Sequence, residues 1–362
     1  MSYLYLSADA IGTPTGGGIV TFQESLALKE LVPCDVWGRD KLLDNAPIRM
    51  AEAPEPWKWD ALAGGWLNGP RGFEIGGLAH IYSGTMTGTV QLLKARGMKV
   101  CYTVAAHRVS DSKQAHGDVG LTYNLPHLTE PEQWKRYSAG YWNADALVVP
   151  SHHSRAVVVE QMNALGITNQ PRICVIPHGC HVPEKVKSIP KSFVVGYLGS
   201  SGADKGLRWL FEAWKILNWN DAVLVIAGKE STNAWTRHLY ETYGGGAVWF
   251  AGWQENLANF YGSLSLYIQP SSTEGFGLEV LEACAHGRPV LCSDHAGACD
   301  VVPYRSMMFP ARNAEALAEA IKIVRRDWDL TEMGTACRED ARHYGWYLIR
   351  ERYLKLWREL LQ

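Results

Sequence analysis

The sequence predicts an α/β protein made of two doubly wound, Rossmann-like domains. Its 362 residues exceed what one ordinary hydrophobic core accommodates and suit two domains of usual size. Short apolar runs that end in Gly or Ser alternate with helical stretches, which is typical of parallel sheets covered by helices. Residues 181–192 hold three lysines and two prolines but few apolar side chains, so they suit a linker between two such series.

The first series predicts six strands and the second predicts five. The strands before the linker are expected at 4–7, 34–38, 79–83, 100–105, 146–150 and 174–177, with helices between them at positions such as 20–31 and 154–165. The strands after it are expected at 193–198, 223–227, 248–251, 266–269 and 290–292. We therefore expect an N-terminal domain over residues 1–185 and a C-terminal domain over residues 190–340.

Apolar side chains recur at steps of three and four residues near the C-terminus, which predicts an amphipathic helix over residues 340–362. The apolar positions are Trp346, Ile349, Tyr353, Leu356, Trp357 and Leu360. The opposite face mixes arginine and lysine with glutamate, whereas a helix that lies on a membrane surface would be more purely basic. We expect this helix to pack on the protein core.

The charge balance gives no sign of a protein that binds polyanions through a strong positive field. Lys and Arg number 35 against 37 Asp and Glu, for a net charge of −2. No run approaches the roughly 18 apolar residues of a transmembrane segment, and Met1–Asp9 lacks the basic start of a secretory signal. The eight cysteines form no CxxC pair, so we expect reduced thiols in a cytoplasmic protein.

One long stretch, residues 45–77, has no regular pattern. It contains four prolines, many glycines and three tryptophans, Trp57, Trp59 and Trp66. Long irregular segments of this kind are often functional, and tryptophan faces suit sugars or nucleobases. Simple packing of these side chains on the domain is the alternative interpretation.

The clearest functional pattern lies between Gln269 and Ala283. A buried strand ends, a turn with glycines follows, and a helix begins near Gly277. Ligands of doubly wound sheets collect at the carboxyl ends of strands, and backbone amides at a helix start favour phosphate. We therefore expect the amides of Phe276, Gly277 and Leu278 to face a phosphate group.

Two glutamates accompany this turn. Glu274 lies in the turn, and Glu282 lies a little over one helical turn inside the helix. Because this separation is too large for a close acid–base pair, we expect each carboxylate to accept hydrogen bonds from a different set of hydroxyls on one extended ligand.

The pattern Glu-Gly-Phe-Gly-x-x-x-x-Glu-Ala resembles the Glu-x7-Glu signature of family 4 of the retaining glycosyltransferases, which have the GT-B fold. Flanking segments support the likeness, and they are 176–179, 195–206, 248–253 and 286–294. The resemblance covers nearly all of the second domain and is weaker, although continuous in order, across the first. It implies two Rossmann-like domains that face a cleft, with a C-terminal helix, 341–362, that crosses back to the first domain.

The resemblance also implies roles for individual residues. Lys205 is expected to neutralise the diphosphate leaving group, while Glu274 and His107 are expected to face the donor sugar as the other catalytic residues. Glu282 is expected to hold the ribose hydroxyls of the nucleotide. The residues expected to bind the donor are Gly16, Gly17, Gly18, Ser200, Gly252, Trp253, Phe276, Gly277, Leu278 and Glu282.

The chain departs from the family pattern at three positions. Ser200 stands where the family usually has an arginine, so one of the two cations on the diphosphate is missing. Arg208, another basic residue or a metal would have to compensate, or donor turnover would be weak. Glu279 stands where the family often has proline, and Asp300 where it often has glutamate.

The function implied is a retaining hexosyltransferase that moves a sugar from a UDP- or GDP-sugar to a hydroxyl of a glycan, a glycolipid or a small molecule. No cofactor and no essential metal are expected, because the family binds the donor with backbone amides and lysine. Two alternatives stay open. One is transfer to hydroxymethylated DNA, for which residues 94–155 offer a mild basic bias; the other is a non-catalytic protein that binds a nucleotide sugar.

Overall fold

The computed structural model describes residues 2–7, 35–37, 77–82, 87–104, 109–121, 138–302 and 307–362, and the helical residues 20–21, 23–24 and 26–27. These residues form two compact units. The first unit includes the described residues up to 104, residues 138–178 and the C-terminal helix from Trp346 onward. The second unit includes residues 109–121 and 179–345.

A six-stranded parallel sheet lies at the centre of the first unit, in the order β2-β1-β3-β4-β5-β6. Its strands are β1 (Ser2–Ser7), β2 (Asp35–Trp37), β3 (Gly77–Tyr82), β4 (Lys99–Thr103), β5 (Ala146–Val149) and β6 (Arg172–Val175). Its labelled helices are α1 (Thr87–Ala95), α3 (Ala139–Trp142), α4 (His152–Ala164) and α11 (Trp346–Leu361). Strands β3 and β5 are buried along their whole length, as expected for strands covered on both faces.

A buried polar network joins α11 to the sheet of the first unit. Trp357 Nε1 donates to His80 Nδ1 at 3.1 Å, which leaves Nε2 as the protonated nitrogen of a neutral imidazole. That nitrogen lies 3.2 Å from Glu24 Oε2, and Glu24 Oε1 accepts from Thr103 Oγ1 at 2.9 Å and Tyr353 Oη at 2.5 Å. Since all five side chains are almost completely buried, these hydrogen bonds satisfy polar groups that would otherwise oppose docking of the helix.

The second unit contains another six-stranded parallel sheet, in the order β12-β11-β10-β7-β8-β9. Its strands are β7 (Phe193–Leu198), β8 (Ala222–Ala227), β9 (Val248–Gly252), β10 (Leu266–Gln269), β11 (Val290–Ser293) and β12 (Met308–Phe309). Its helices are α2 (Val109–Asp118), α5 (Leu207–Leu217), α6 (Ala234–Tyr243), α7 (Leu257–Gly262), α8 (Leu278–Ala285), α9 (Ala314–Asp327) and α10 (Leu330–Ala341).

Two arginines attach the linker segment to the second unit. Arg288 is 1% exposed and donates to the backbone carbonyls of Leu264 at 2.9 Å and Lys187. Burial lowers the pKa of Arg288 to about 10, and carbonyl oxygens rather than a carboxylate satisfy its donors. Arg338 donates to Glu184 O at 3.1 Å. The polar segment predicted as a linker is therefore anchored, in its middle, to the second unit.

The prediction of two α/β units with parallel sheets is confirmed, and all eleven predicted strands have counterparts. Strand β12 was not predicted because it has only two residues. Helix α2, which the sequence analysis left with the first domain, belongs to the second unit. Every described cysteine is a free thiol, and among the described helices none combines the length and apolar character needed to cross a membrane. Most of the irregular stretch 45–77 lies outside the described residues.

Candidate functional site

The loop between β10 and α8, residues 270–277, is the segment that the sequence pattern singled out. It follows the carboxyl end of β10, and backbone hydrogen bonds hold it on two sides. Ser272 N donates to Asp204 O at 2.7 Å, in the turn after β7. Glu274 N donates to His295 O at 3.0 Å, in the connection after β11. The loop is thus fixed between the ends of β7 and β11, which flank β10 in the sheet.

Two glycines allow this close approach of backbone segments. Gly206 has a φ of 71°, and a Cβ on it would lie 1.9 Å from the carbonyl oxygen of Pro270, so a side chain there would clash with the loop. Gly277 is the N-cap of α8 with a φ of 96°, in the left-handed region that favours glycine. The glycines beside Lys205 and Phe276 are therefore structural requirements of the site.

Lys205 and Glu274, two of the three predicted catalytic residues, meet in a direct ion pair. Lys205 Nζ donates to Glu274 Oε2, although the two residues lie after different strands. Burial alone would lower the pKa of Lys205, but the carboxylates of Glu274 and Glu279 outweigh it and raise that pKa above its ordinary value. The lysine is therefore a permanent cation at the carboxyl edge of the sheet.

The other two carboxylates of the site project from α8. Glu282 Oε2 accepts a hydrogen bond of 2.9 Å from Tyr261 Oη. Burial, with the nearby charge of Glu279, raises the pKa of Glu282 to about 7. Burial also raises the pKa of Glu279, and the charge of Lys205 opposes this shift only in part. Lys205 therefore interacts with two carboxylates, Glu274 and Glu279, while Glu282 interacts with Glu279 and Tyr261.

Arg208, one of the candidates to replace the missing arginine at Ser200, already has other partners. Its guanidinium donates to Asp118 O, at the end of α2, and to Glu212 Oε1 at 3.2 Å. It also lies 4.5 Å from the ring centroids of Trp209 and Tyr243. Arg208 would have to leave these partners in order to reach a donor diphosphate.

The predicted donor-binding residues of the second unit lie at the same edge of its sheet. Ser200 follows β7 and is exposed, while Gly252 ends β9 and donates to Ser231 Oγ at 3.0 Å. The next residue, Trp253, is 53% exposed. The described residues contain no group of three or more His, Cys, Asp or Glu side chains that could hold a metal ion, and the absence of an essential metal stays a prediction.

His107 and the glycines Gly16, Gly17 and Gly18 lie outside the described residues, so their expected roles stay predictions. The sequence analysis missed one pair of residues beside the loop. His295 Nδ1 lies 3.0 Å from Ser272 O and 3.3 Å from Asp111 Oδ2, so it connects the loop to α2. Its position directly after a predicted strand could have indicated it, because polar residues there reach the ligand edge of a doubly wound sheet.

Comparison with protein families finds a family match over part of the chain. Residues 192–327 match the family described as "Glycosyl transferases group 1". The matched segment includes all six strands of the second sheet and the whole loop 270–277, but it is well under half of the 362-residue chain.

Two similar curated proteins are bacterial glycosyltransferases. The chain is 27% identical over 178 residues to N,N'-diacetylbacillosaminyl-diphospho-undecaprenol alpha-1,3-N-acetylgalactosaminyltransferase of Campylobacter jejuni. The aligned segment covers 48% of this chain and 47% of that protein. The chain is 29% identical over 153 residues to the capsular polysaccharide biosynthesis glycosyltransferase CapM of Staphylococcus aureus, with 40% of each chain covered. The chain thus spans less than half the length of these relatives. With the family match, they support a glycosyltransferase domain.

A solved structure resembles the chain over its whole length. Sucrose-phosphate synthase from Thermosynechococcus elongatus superposes with a TM-score of 0.76 over 99% of both chains, at 19% sequence identity. At this identity the likeness shows the fold alone. The predicted GT-B fold, with two Rossmann-like domains and a C-terminal helix that returns to the first, is confirmed.

Proposed function

We propose that the chain is a retaining glycosyltransferase of family 4, which transfers a hexose from a UDP- or GDP-sugar to a hydroxyl acceptor. The observation that carries this proposal is the Lys205–Glu274 ion pair at the start of α8, with Glu282 further along the same helix. This arrangement offers a cation for a diphosphate and two separate carboxylates for the hydroxyls of a sugar and a ribose.

In this proposal Lys205 exchanges its carboxylate partner for the diphosphate of the donor. The bond between the anomeric carbon and the diphosphate breaks through an oxocarbenium-like transition state, so negative charge grows on the leaving phosphate. A preorganised ammonium at that position stabilises the transition state more than the ground state. Glu274, once released from Lys205, accepts hydrogen bonds from the donor sugar.

The nucleoside lies along the ends of β9 and α8 in this scheme. The Glu282 carboxylate accepts from the ribose hydroxyls, while Tyr261 Oη, already 2.9 Å from Oε2, holds that carboxylate in place. The exposed indole of Trp253 offers a flat face for the nucleobase.

Retention of configuration is proposed to follow from attack on the same face as the leaving group. The acceptor oxygen bonds to the anomeric carbon as the phosphate departs, and the acceptor proton moves to the departing phosphate oxygen. This scheme needs no side-chain nucleophile. It also needs no metal, since Lys205 and the backbone amides near Gly277 supply the positive potential.

A glycan or lipid-linked glycan is the proposed acceptor class. The names of both relatives support it, because one acts on a diphospho-undecaprenol-linked sugar and the other serves capsular polysaccharide biosynthesis. A small-molecule acceptor is the alternative within the same reaction.

A protein that binds a nucleotide sugar without transferring it is the second candidate. The charge balance favours this alternative: Lys205 interacts with the carboxylates of Glu274 and Glu279, and an exposed serine stands at position 200. A diphosphate would find weaker electrostatic stabilisation here than at a site with two cations.

Release of nucleoside diphosphate from a panel of UDP-, GDP- and ADP-sugars tests the proposal. We expect slow hydrolysis of one donor without an acceptor, and loss of that hydrolysis in Glu282→Ala. Calorimetry on the same panel separates the two candidates. Binding without turnover, even with lipid-linked glycan acceptors added, would favour the binding protein, and the absence of both binding and turnover would contradict both.

Donor affinity should increase with pH between about 6 and 8. The pKa of Glu282 is about 7, so roughly a tenth of its carboxyl is charged at pH 6 and roughly nine tenths at pH 8. Only the charged form accepts hydrogen bonds at both oxygens, and we expect the Kd from calorimetry to fall by up to about tenfold across this range.

Two variants test the assignment of this titration. Glu282→Gln should remove the pH dependence, whereas Glu279→Gln should keep it and move its midpoint to lower pH, because the charge of Glu279 helps to raise the pKa of Glu282. An unchanged pH dependence in Glu282→Gln would assign the titration to another group.

A further inference from the structure

Two thiols lie close together in the connection that supports the loop 270–277. Cys292 is in β11 and completely buried, while Cys299 is in the short 3-10 helix Gly297–Asp300 and half-buried. Their Sγ atoms are 3.6 Å apart. Six residues lie between them in the sequence, so this contact closes a small loop that includes His295.

The hydrogen bonds and burial of the two thiols determine which of them reacts first with an oxidant from solvent. Cys299 Sγ donates to Ser293 O at 3.0 Å, so the proton between the two sulfur atoms comes from Cys292. That hydrogen bond, together with burial, raises the pKa of Cys292. Cys292 is therefore held as a thiol aimed at Cys299, and the half-buried Cys299 is the sulfur that an oxidant can reach.

We propose that Cys292 and Cys299 form a redox-sensitive modification site, in which a peroxide converts the two thiols into a disulfide that displaces the loop carrying Glu274. Hydrogen peroxide first oxidises Cys299 to a sulfenic acid and leaves as water. The sulfur of Cys292 then attacks that of Cys299, loses its proton and displaces a second water. The two thiols lose two electrons and two protons in total, and the peroxide gains them.

Formation of the disulfide requires the two sulfur atoms to move closer together. A disulfide bond is about 2.05 Å long, so the sulfur atoms must approach by roughly 1.5 Å from their separation of 3.6 Å. The residues between them hold the loop 270–277 through Glu274 N to His295 O at 3.0 Å and Gly297 N to Glu274 O at 3.0 Å. Any backbone movement of residues 292–299 that accompanies this approach therefore reaches Glu274 through its own backbone hydrogen bonds.

The chain supplies an internal comparison. The thiol of Cys337 lies close enough to Cys284 to raise the pKa of that thiol, but both side chains are completely buried. If proximity alone decided the chemistry, this second pair would oxidise as well. Because peroxide must reach the first sulfur, we expect only the pair with the half-buried member to react at low oxidant concentration.

Peptide mass spectrometry on the full chain tests the modification. After brief treatment with hydrogen peroxide, alkylation of free thiols and digestion with trypsin, we expect the peptide that contains both Cys292 and Cys299 to carry an internal disulfide and to be two hydrogens lighter than the thiol form. Dithiothreitol should reverse it, and Cys299→Ser and Cys292→Ala should prevent it. Alkylation of both thiols after treatment, sulfinic acid at Cys299, or cross-linking of Cys284 to Cys337 instead would overturn the proposal.

Hydrogen–deuterium exchange tests the effect on the loop without any donor. Exchange of amides in residues 270–280 should become at least about tenfold faster in the disulfide form and stay unchanged in peroxide-treated Cys299→Ser; equal rates in the two forms would overturn the coupling. A lower donor affinity of the disulfide form is a further expectation that rests on the proposed function. Loss of donor binding in both forms would count against that function and leave the exchange result standing.

Discussion

Replacing Lys205 by alanine is expected to lower donor turnover by two to three orders of magnitude. The ammonium of Lys205 is the cation that the ion pair with Glu274 places at the loop 270–277. Removal of one preorganised donor to a developing negative charge costs about 10²–10³ in kcat at other enzymes. No second cation compensates from position 200, where a serine stands. Release of nucleoside diphosphate from the preferred donor measures the effect.

Two further variants make this result specific. Lys215→Ala removes an exposed lysine from α5 and should leave turnover within about twofold of the wild-type value. Ser200→Arg adds a cation after β7 and should increase donor affinity if diphosphate binding is limited by positive charge. Turnover in Lys205→Ala within tenfold of wild type would remove this lysine from the proposed mechanism.

Replacing Trp357 by alanine is expected to lower the free energy of unfolding by about 3–5 kcal/mol. Trp357 is completely buried, donates to His80 Nδ1 at 3.1 Å, and lies 5.2 Å from the His80 ring and 5.4 Å from the Tyr353 ring. The substitution removes a large apolar volume and a hydrogen bond of the network around Glu24. Urea denaturation followed by circular dichroism measures the loss.

The same helix provides the control for this prediction. Tyr347 is 63% exposed, so Tyr347→Ala should change the free energy of unfolding by no more than about 0.5 kcal/mol. Trp357→Phe should fall between the two, because it keeps much of the apolar volume but not the N–H donor. Similar losses for Trp357→Ala and Tyr347→Ala would mean that helix propensity, rather than buried packing, determines how α11 is held.

Local patterns were sufficient to predict the fold. Strands such as β5 and β8 are continuous apolar runs, because parallel strands are buried on both faces, and such runs are visible in the sequence. The approach of Lys205 to Glu274 also follows from local position, since each residue lies after the carboxyl end of its strand and β7 pairs with β10.

Contacts that depend on tertiary packing could not be predicted. The attachment of α2 to the second unit rests on Arg208 and on the pair Asp111–His295, and neither contact has a spacing that a single sequence reveals. The orientation of Arg208 is a similar case. Its sequence position suggested a replacement cation, whereas packing directs its guanidinium to Asp118 and Glu212.

The anchoring of residues 183–188 determines where a separately expressed fragment should begin. A fragment that began at residue 190, where the sequence suggests a domain boundary, would lack the carbonyls of Lys187 and Glu184 that accept from Arg288 and Arg338. The guanidinium of Arg288 would then keep the carbonyl of Leu264 but lose that of Lys187, and the fragment would lose stability for a reason unrelated to its sheet. A fragment that carries the longer segment of the second unit therefore calls for a start at Gly179, where that segment begins.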